Sequence, residues 1–253
     1  MLHSTSLGSG FDDSFVLLHS LGLDGRVWQF VGPQLAHRAR VVTIDLRGHG
    51  ASPRSVDFSI EEMADDVAET LTRLDIDKAI VVGLSMGGCV AQAVAVRHPG
   101  FVSGLVLADT TAWYGPDAPQ AWAGRAERAR ANGLRSLAEF QLERWFGEEF
   151  RVQHPDLCGE LLECFAANDI DSYASACHAM GAFDGRSEIG SVAVPTEVVV
   201  GEHDPATPPE HARDLAARIS GAGLTVIPEA KHLTALECPD ALVEAAERVR
   251  NRL

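Results

Sequence analysis

The sequence predicts an α/β fold: a mostly parallel, doubly wound sheet interrupted by an inserted helical cap. Three observations carry this. Short β-branched runs alternate with helix-period segments near both ends of the chain. The runs are continuously apolar, as in strands covered by helices on both faces. Between residues 112 and 188 the alternation stops and only helical patterns remain.

In chain order, Phe15–Leu18, Val41–Ile44 and Ala79–Val82 are the first strand candidates. Residues 60–74 place Ile60, Met63, Ala64, Val67, Leu71 and Leu74 on one helical face, and Ser59 with Glu62 makes a capping-box pattern at its start. Leu105–Ala108 ends this first block. Short helices rich in Ala, Arg and Glu follow, carrying Trp113, Tyr114, Trp122, Trp145 and Phe146. Alternation resumes with a strand over Val194–Val200, a helix near 208–219, a strand over Leu224–Ile227 and a last helix from Pro239. The expected division is a core of residues 1–111 and 189–253 and a helical cap of residues 112–188.

The 253 residues are ample for a buried core. Thirty-six acidic residues against 21 basic ones give a net charge of −15, which repels phosphate backbones and anionic headgroups. The expected partner is therefore a small molecule, with neither nucleic acid nor membrane. The five cysteines are odd in number and never spaced as C-x-x-C, so they read as free thiols in a reducing compartment. Cys158, Cys164 and Cys177, with His154 and His178 nearby, offer no compact ligand pair, so no metal is expected. Residues 1–13 contain no Lys or Arg and no signal-peptide-like apolar run, and the expectation is a cytoplasmic protein. Phosphate-loop and dinucleotide fingerprints are missing, so no cofactor is expected.

Gly83-Leu84-Ser85-Met86-Gly87 has the form G-x-S-x-G, directly after the strand candidate 79–82 and directly before the apolar helix candidate Cys89–Ala95. That strand–turn–helix setting exposes a serine on a sharp turn, while side chains at Gly83 or Gly87 would collide with neighbouring backbone. Ser85 is the candidate nucleophile. The amide of Met86, at the helix N-terminus, is aimed where negative charge would develop. His19-Ser20-Leu21-Gly22 follows an early strand, where this architecture supplies a second oxyanion donor, assigned to the Leu21 amide; His19 is read as a brace for that loop.

A serine needs a base near neutral pKa. Of the ten histidines, His232 follows the strand 224–227 by a short loop and so lies at the same sheet edge as Ser85. The base needs a carboxylate to hold its tautomer. Asp204, in the loop after the strand ending at Val200, gives the order Ser, Asp, His. Glu202 and Asp109 remain open as alternatives. The segment Asp45–Ser52 reads as structural, with Arg47 tying its loop.

Together, His19–Gly22, Asp45–Ser52, the Ser85 turn, Gly201–Asp204 and Lys231-His232 resemble the α/β-hydrolase superfamily across nearly the whole chain. Leu107–Pro116 and the phrase Glu143-Arg144-Trp145-Phe146 resemble the 3-oxoadipate enol-lactonases. The chain departs from that pattern in a short N-terminal lead-in, with little room for the usual first strands. The resemblance implies a hydrolase that opens a small anionic enol-lactone through an acyl-enzyme. It also implies a cationic group under the cap to receive a dicarboxylate product. Of Arg125, Arg128, Arg130, Arg135 and Arg144, most are expected at the surface, and Arg144, next to Trp145 and Phe146, is the first candidate. Trp113 and Trp145 are candidates to contact substrate or to pack the cap onto the core. The alternatives are a carboxylesterase or other lactonase of the same fold, or a small-molecule receptor that keeps the triad.

Overall fold

The computed structural model describes residues 1–11 and 13–253. Seven strands, β1 (Ser4–Leu7), β2 (Ser14–Leu18), β3 (Arg40–Ile44), β4 (Ala79–Leu84), β5 (Val102–Ala108), β6 (Thr196–Gly201) and β7 (Gly223–Ile227), form one sheet in the order β1-β3-β2-β4-β5-β6-β7. Every neighbouring pair is parallel except β1 with β3. All residues of β4 and β6 are buried, because helices cover both faces, and this is why β4 is continuously apolar and β6 is so over Val198–Val200. The chain moves outward from β2 to β3 and then returns past β2 to β4. The order therefore reverses between β2 and β4, and a crevice opens at their C-terminal ends.

Strand β1 was not expected from the short lead-in. Ser4–Leu7 carries no apolar run and its residues are half-buried to exposed. It forms because its backbone pairs antiparallel with β3, Ser4 opposite Ile44 and Leu7 opposite Val41. An edge strand of this kind is specified by main-chain bonds more than by side chains.

The helices in chain order are α1 (Gly32–Leu35), α2 (Ile60–Arg73), α3 (Met86–Arg97), α4 (Ala118–Asn132), α5 (Ala138–Trp145), α6 (Glu148–Gln153), α7 (Pro155–Ala166), α8 (Ile170–Ala182), α9 (Pro209–Arg218), α10 (Thr234–Glu237) and α11 (Pro239–Arg250). Helix α2 starts with the capping box read from sequence: the Glu62 amide donates to Ser59 Oγ at 3.2 Å and the Ser59 amide to Glu62 Oε2 at 2.8 Å. Helix α3 is apolar from Met86 to Ala95 except for Gln92, which donates to the Gly88 and Thr111 carbonyls, and the whole stretch is buried, as such a helix must be. None of the helices among the described residues is long and apolar enough to cross a membrane.

Helices α4 to α8 all lie between β5 and β6. The ends of this helical segment meet at a β-bridge between Trp113 and Asp184, beside which the Gly185 amide donates to the Ala112 carbonyl at 2.8 Å. Asn168 Nδ2 donates to the Gly22 carbonyl at 2.7 Å, and the Leu233 amide to the Trp145 carbonyl at 3.1 Å. The segment is thus tied to the loops that follow β2 and β7.

The loop after β2 is pinned by Asp24, which is 8% exposed. Asp24 Oδ1 accepts the Arg26 amide at 3.0 Å, and Oδ2 accepts Arg26 Nη2 at 2.7 Å and the Cys164 thiol at 3.3 Å. Burial works to raise the Asp24 pKa, but the Arg26 guanidinium and amide outweigh it and bring the pKa down to about 2. The folded value lies below the unfolded one. The stabilisation is therefore complete above about pH 4 and is lost as pH falls toward 2. Replacing Asp24 with Asn should flatten this acid limb: urea unfolding at pH 6 and pH 2.5 should show a pH-dependent loss about 1–2 kcal/mol smaller in Asp24→Asn than in the parent.

Candidate active site

Strand β4 ends at Leu84, and Ser85 turns the chain into α3 with φ +55° and ψ −114°. This is a strained conformation for a residue with a side chain, costing about 1–3 kcal/mol. It is held from both sides: the Ser85 amide donates to the Ala108 carbonyl of β5 at 2.9 Å, and Thr110 Oγ1 donates to the Ser85 carbonyl at 2.8 Å. The helix also approaches the sheet too closely for side chains. A Cβ on Gly83 would sit 2.3 Å from the Gly87 carbonyl oxygen, and one on Gly87 would sit 2.2 Å from that of Leu18.

His232, in the loop after β7, reaches Ser85 Oγ with Nε2 at 2.9 Å and Asp204 Oδ2 with Nδ1 at 2.8 Å. Asp204 is 3% exposed and also accepts the Ala206 amide at 2.7 Å, the Thr207 amide at 3.0 Å and the Thr207 hydroxyl at 2.8 Å. Burial favours the neutral carboxyl, but the His232 imidazole and then the donated hydrogen bonds prevail and hold Asp204 below the usual carboxylate range. An ionised Asp204 places the imidazole proton on Nδ1. Nε2 is then left to accept from the Ser85 hydroxyl.

Of the two alternative acids, Glu202 is exposed and accepts the Glu229 amide at 3.2 Å. Asp109 is fully buried and bonds Gly201 and Thr234 instead of His232. Leu21 lines the crevice and Met86 directly follows Ser85 as the first residue of α3; the amides of both have no hydrogen-bond acceptor among the described residues. His19 braces the Leu21 loop: its Nδ1–H donates to the Ser20 carbonyl at 2.8 Å, and its Nε2 accepts the Leu46 amide at 2.8 Å. Burial lowers the His19 pKa, which keeps this brace neutral.

A cavity of roughly 470 Å³ stands over Ser85 and His232, roofed by α4, α5 and α8. Arg125, Arg128 and Arg144 line it, and no Asp or Glu does among the described residues. Neither Arg125 nor Arg144 has a carboxylate partner among the described residues. Burial, then the neighbouring Arg125, lowers the Arg144 guanidinium from its ordinary value, with Asp204 opposing.

Residues 15–245 match the alpha/beta hydrolase family. The chain belongs to that family. It is 31% identical to 3-oxoadipate enol-lactonase 2 of Acinetobacter baylyi, over 99% of this chain and 93% of that protein. It is 34% identical to a pimeloyl-[acyl-carrier protein] methyl ester esterase of Chromobacterium violaceum, over 95% and 94%. The crystal structure of the enol-lactonase from Burkholderia xenovorans superposes with a TM-score of 0.94 at 33% identity, covering 99% of this chain and 96% of that one.

In this alpha/beta hydrolase the residues singled out from sequence under the helical segment separate. Arg144 and Trp145 line the cavity, Arg144 with its guanidinium 5.2 Å from the centre of the Phe140 ring. Trp113 does not line it and is corrected to a structural residue: its ring lies under Arg186, 3.5 Å from guanidinium carbon to ring centre, beside the bridge to Asp184. Arg125, one of the five candidate arginines of which most were expected at the surface, also lines the cavity. Its Nε donates to the Tyr173 hydroxyl at 2.6 Å, and its guanidinium lies 5.2 Å from the Trp122 ring centre. The signal for Arg125 was its spacing: Ala118, Trp122, Arg125 and Ala129 recur at helical period, and that stripe faces inward.

The turn itself makes a testable pair. Gly87→Ala should cost the hydrolase about 3 kcal/mol in urea unfolding, because the new methyl meets backbone that cannot yield. Gly124→Ala, in α4 with its nearest neighbour the Arg128 side chain at 3.6 Å, should gain about 0.5–1 kcal/mol in the same measurement.

Proposed function

We propose that this chain is a serine hydrolase that opens a small anionic enol-lactone, taking 3-oxoadipate enol-lactone to 3-oxoadipate through an acyl-enzyme. The observation that carries the reading is the cavity over Ser85. In a chain of net charge −15, its lining has three arginines and no described carboxylate. Arg125 and Arg144 are half-buried and bonded only to uncharged oxygens, Arg125 to the Tyr173 hydroxyl and Arg144 to the Pro205 carbonyl at 3.2 Å, so both leave a positive charge open to an anion in the cavity. The likeness to enol-lactonases supports the same substrate class.

In this reading Ser85 Oγ attacks the ring carbonyl while His232 Nε2 takes its proton, and Asp204 stabilises the imidazolium. The Leu21 and Met86 amides hold the tetrahedral oxyanion, each donor contributing about 3–4 kcal/mol. Collapse breaks the ring C–O bond, and the enolate leaves, takes the proton from His232 Nε2 and becomes a ketone. The chain of the opened ring stays bound to Ser85 as an ester. Water then gives a proton to His232 Nε2 and attacks that ester; the bond to Ser85 Oγ breaks, His232 returns the proton to Oγ, and the second carboxylate is released. Arg125 and Arg144 receive the substrate carboxylate, and Trp145 packs beside it.

A carboxylesterase is the second reading, favoured by the apolar wall of Leu137, Phe140 and Met180 and by the methyl ester esterase relatives. A receptor that keeps the triad would consume ligand at most once. Multiple-turnover assays with 3-oxoadipate enol-lactone and p-nitrophenyl acetate separate the three. The parent should turn over both, with the lactone preferred, and Ser85→Ala should lose at least about 10⁴-fold in kcat on each. Ester turnover alone would leave the carboxylesterase; at most one equivalent of either would leave the receptor.

The arginines can be tested separately from the triad. Arg125→Met and Arg144→Met should each raise KM for the lactone about tenfold, the loss of one charged hydrogen bond, and leave KM for the uncharged ester within twofold. Equal effects on the two substrates would remove the case for an anionic substrate.

A further inference from the structure

Asp109, an alternative acid on sequence grounds, makes no bond to His232. It occupies the end of β5, wholly buried, with φ +47°, a left-handed conformation unusual for a residue with a side chain. Its two carboxylate oxygens bond different loops. Oδ1 accepts the amide of Gly201 at 3.1 Å; Gly201 is the last residue of β6 and lies three residues before Asp204. Oδ2 accepts both the amide of Thr234, at 3.0 Å, and its hydroxyl, at 2.6 Å; Thr234 opens α10 two residues after His232.

The β6–β7 ladder ends at the pair Gly201 and Ile227. Beyond it, the loops carrying Asp204 and His232 are joined on one side by the Glu202 amide to the Ile227 carbonyl and the His203 amide to the Ala230 carbonyl, each at 2.9 Å. Asp109 supplies a second bridge, from Gly201 to Thr234, on the buried side. Without it, three donors would be left in a place that water does not reach, and the two loops would be joined on one side only.

We propose that Asp109 is a positioning residue, cross-linking the chain before Asp204 to the chain after His232 so that the imidazole stays aligned between Asp204 and Ser85. This rests on the reading of Ser85, His232 and Asp204 as the working triad. A carboxyl so deeply buried is costly to keep: burial first, and then the charge of Asp204, raise its pKa well above the ordinary value, against the three donated bonds. A side chain needed only to fill space here would carry no charge.

Asp109→Asn keeps the shape but turns an NH₂ group toward one set of donors, since Gly201 and Thr234 present N–H groups to both sides. Thr234→Val removes one donor and keeps the backbone bond. The two variants and the parent are compared in three measurements: the downfield proton resonance of the His232 Nδ1–H, kcat and KM on p-nitrophenyl acetate, and thermal unfolding. In Asp109→Asn the resonance should move upfield or broaden, and kcat should fall about 10- to 100-fold with KM within twofold; Thr234→Val should shift both in the same direction, with kcat down about threefold or more. Folded variants that keep the parental resonance and kcat would overturn the proposal. If Asp109→Asn does not fold, Thr234→Val decides: an unchanged resonance and kcat there overturns it equally. Failure of the triad reading would look different, as a parent inactive on every ester or a Ser85→Ala variant with parental turnover, and the resonance would still report on Asp109.

Discussion

Everything at this site depends on the closeness with which α3 lies against the sheet. Because Gly83 and Gly87 leave no room for a methyl group, the first turn of the helix sits directly on the backbone of β2, and Ser85 is forced into a positive φ between them. The strain is sustained by the surroundings: Ser85 is bonded through its amide to β5, and its strand lies at the centre of seven. The same reversal of strand order that puts β4 beside β2 brings the loop bearing Leu21 next to the Ser85 turn. His232 and Asp204 then arrive from β7 and β6, whose C-terminal ends point the same way because the strands are parallel.

Much of this was legible in the sequence for one reason: strands buried on both faces and helices with one buried stripe must show it in their residues. The runs 15–18, 41–44 and 79–82, and the Ser59–Glu62 capping box, are such cases. Strand β1 was not legible, since Ser4–Leu7 is recruited by main-chain bonds to β3 and its side chains stay half-buried to exposed. The contact of His232 with Asp204 rather than Asp109 could be favoured from chain order but not decided, because both carboxylates end strands at the same edge of the sheet. Arg125 could not be singled out from the sequence because its hydrogen-bond partner, Tyr173, is 48 residues away and belongs to another helix. Whether Trp113 packs or contacts substrate stayed open for the same reason: the Arg186 that covers it is remote in sequence.

The helical segment between β5 and β6 is fastened where the site is made. Asn168 holds the Gly22 carbonyl beside Leu21, and the Trp145 carbonyl receives the amide next to His232. Ser172 and Ser175 of α8 accept amides from Ser55 and Asp57, which follow the Arg47 loop. Arg47 in turn is bound to Asp66 of α2. The roof of the cavity and its floor are therefore parts of one hydrogen-bonded network, and a change in the segment is felt by the loops that carry Leu21 and His232.

The arginine-lined cavity sits inside a molecule whose overall charge has the opposite sign. An anion approaching from solution meets repulsion at long range and attraction only within the last few ångströms, since charges more than about 8 Å apart are largely screened at physiological ionic strength. Added salt weakens the outer repulsion before it weakens the contacts inside. On the proposed reading of an anionic substrate, its capture resembles passage over a rim into a well, and moderate salt lowers the rim: the association rate rises with ionic strength, opposite in sense to an enzyme that steers its substrate in by long-range attraction.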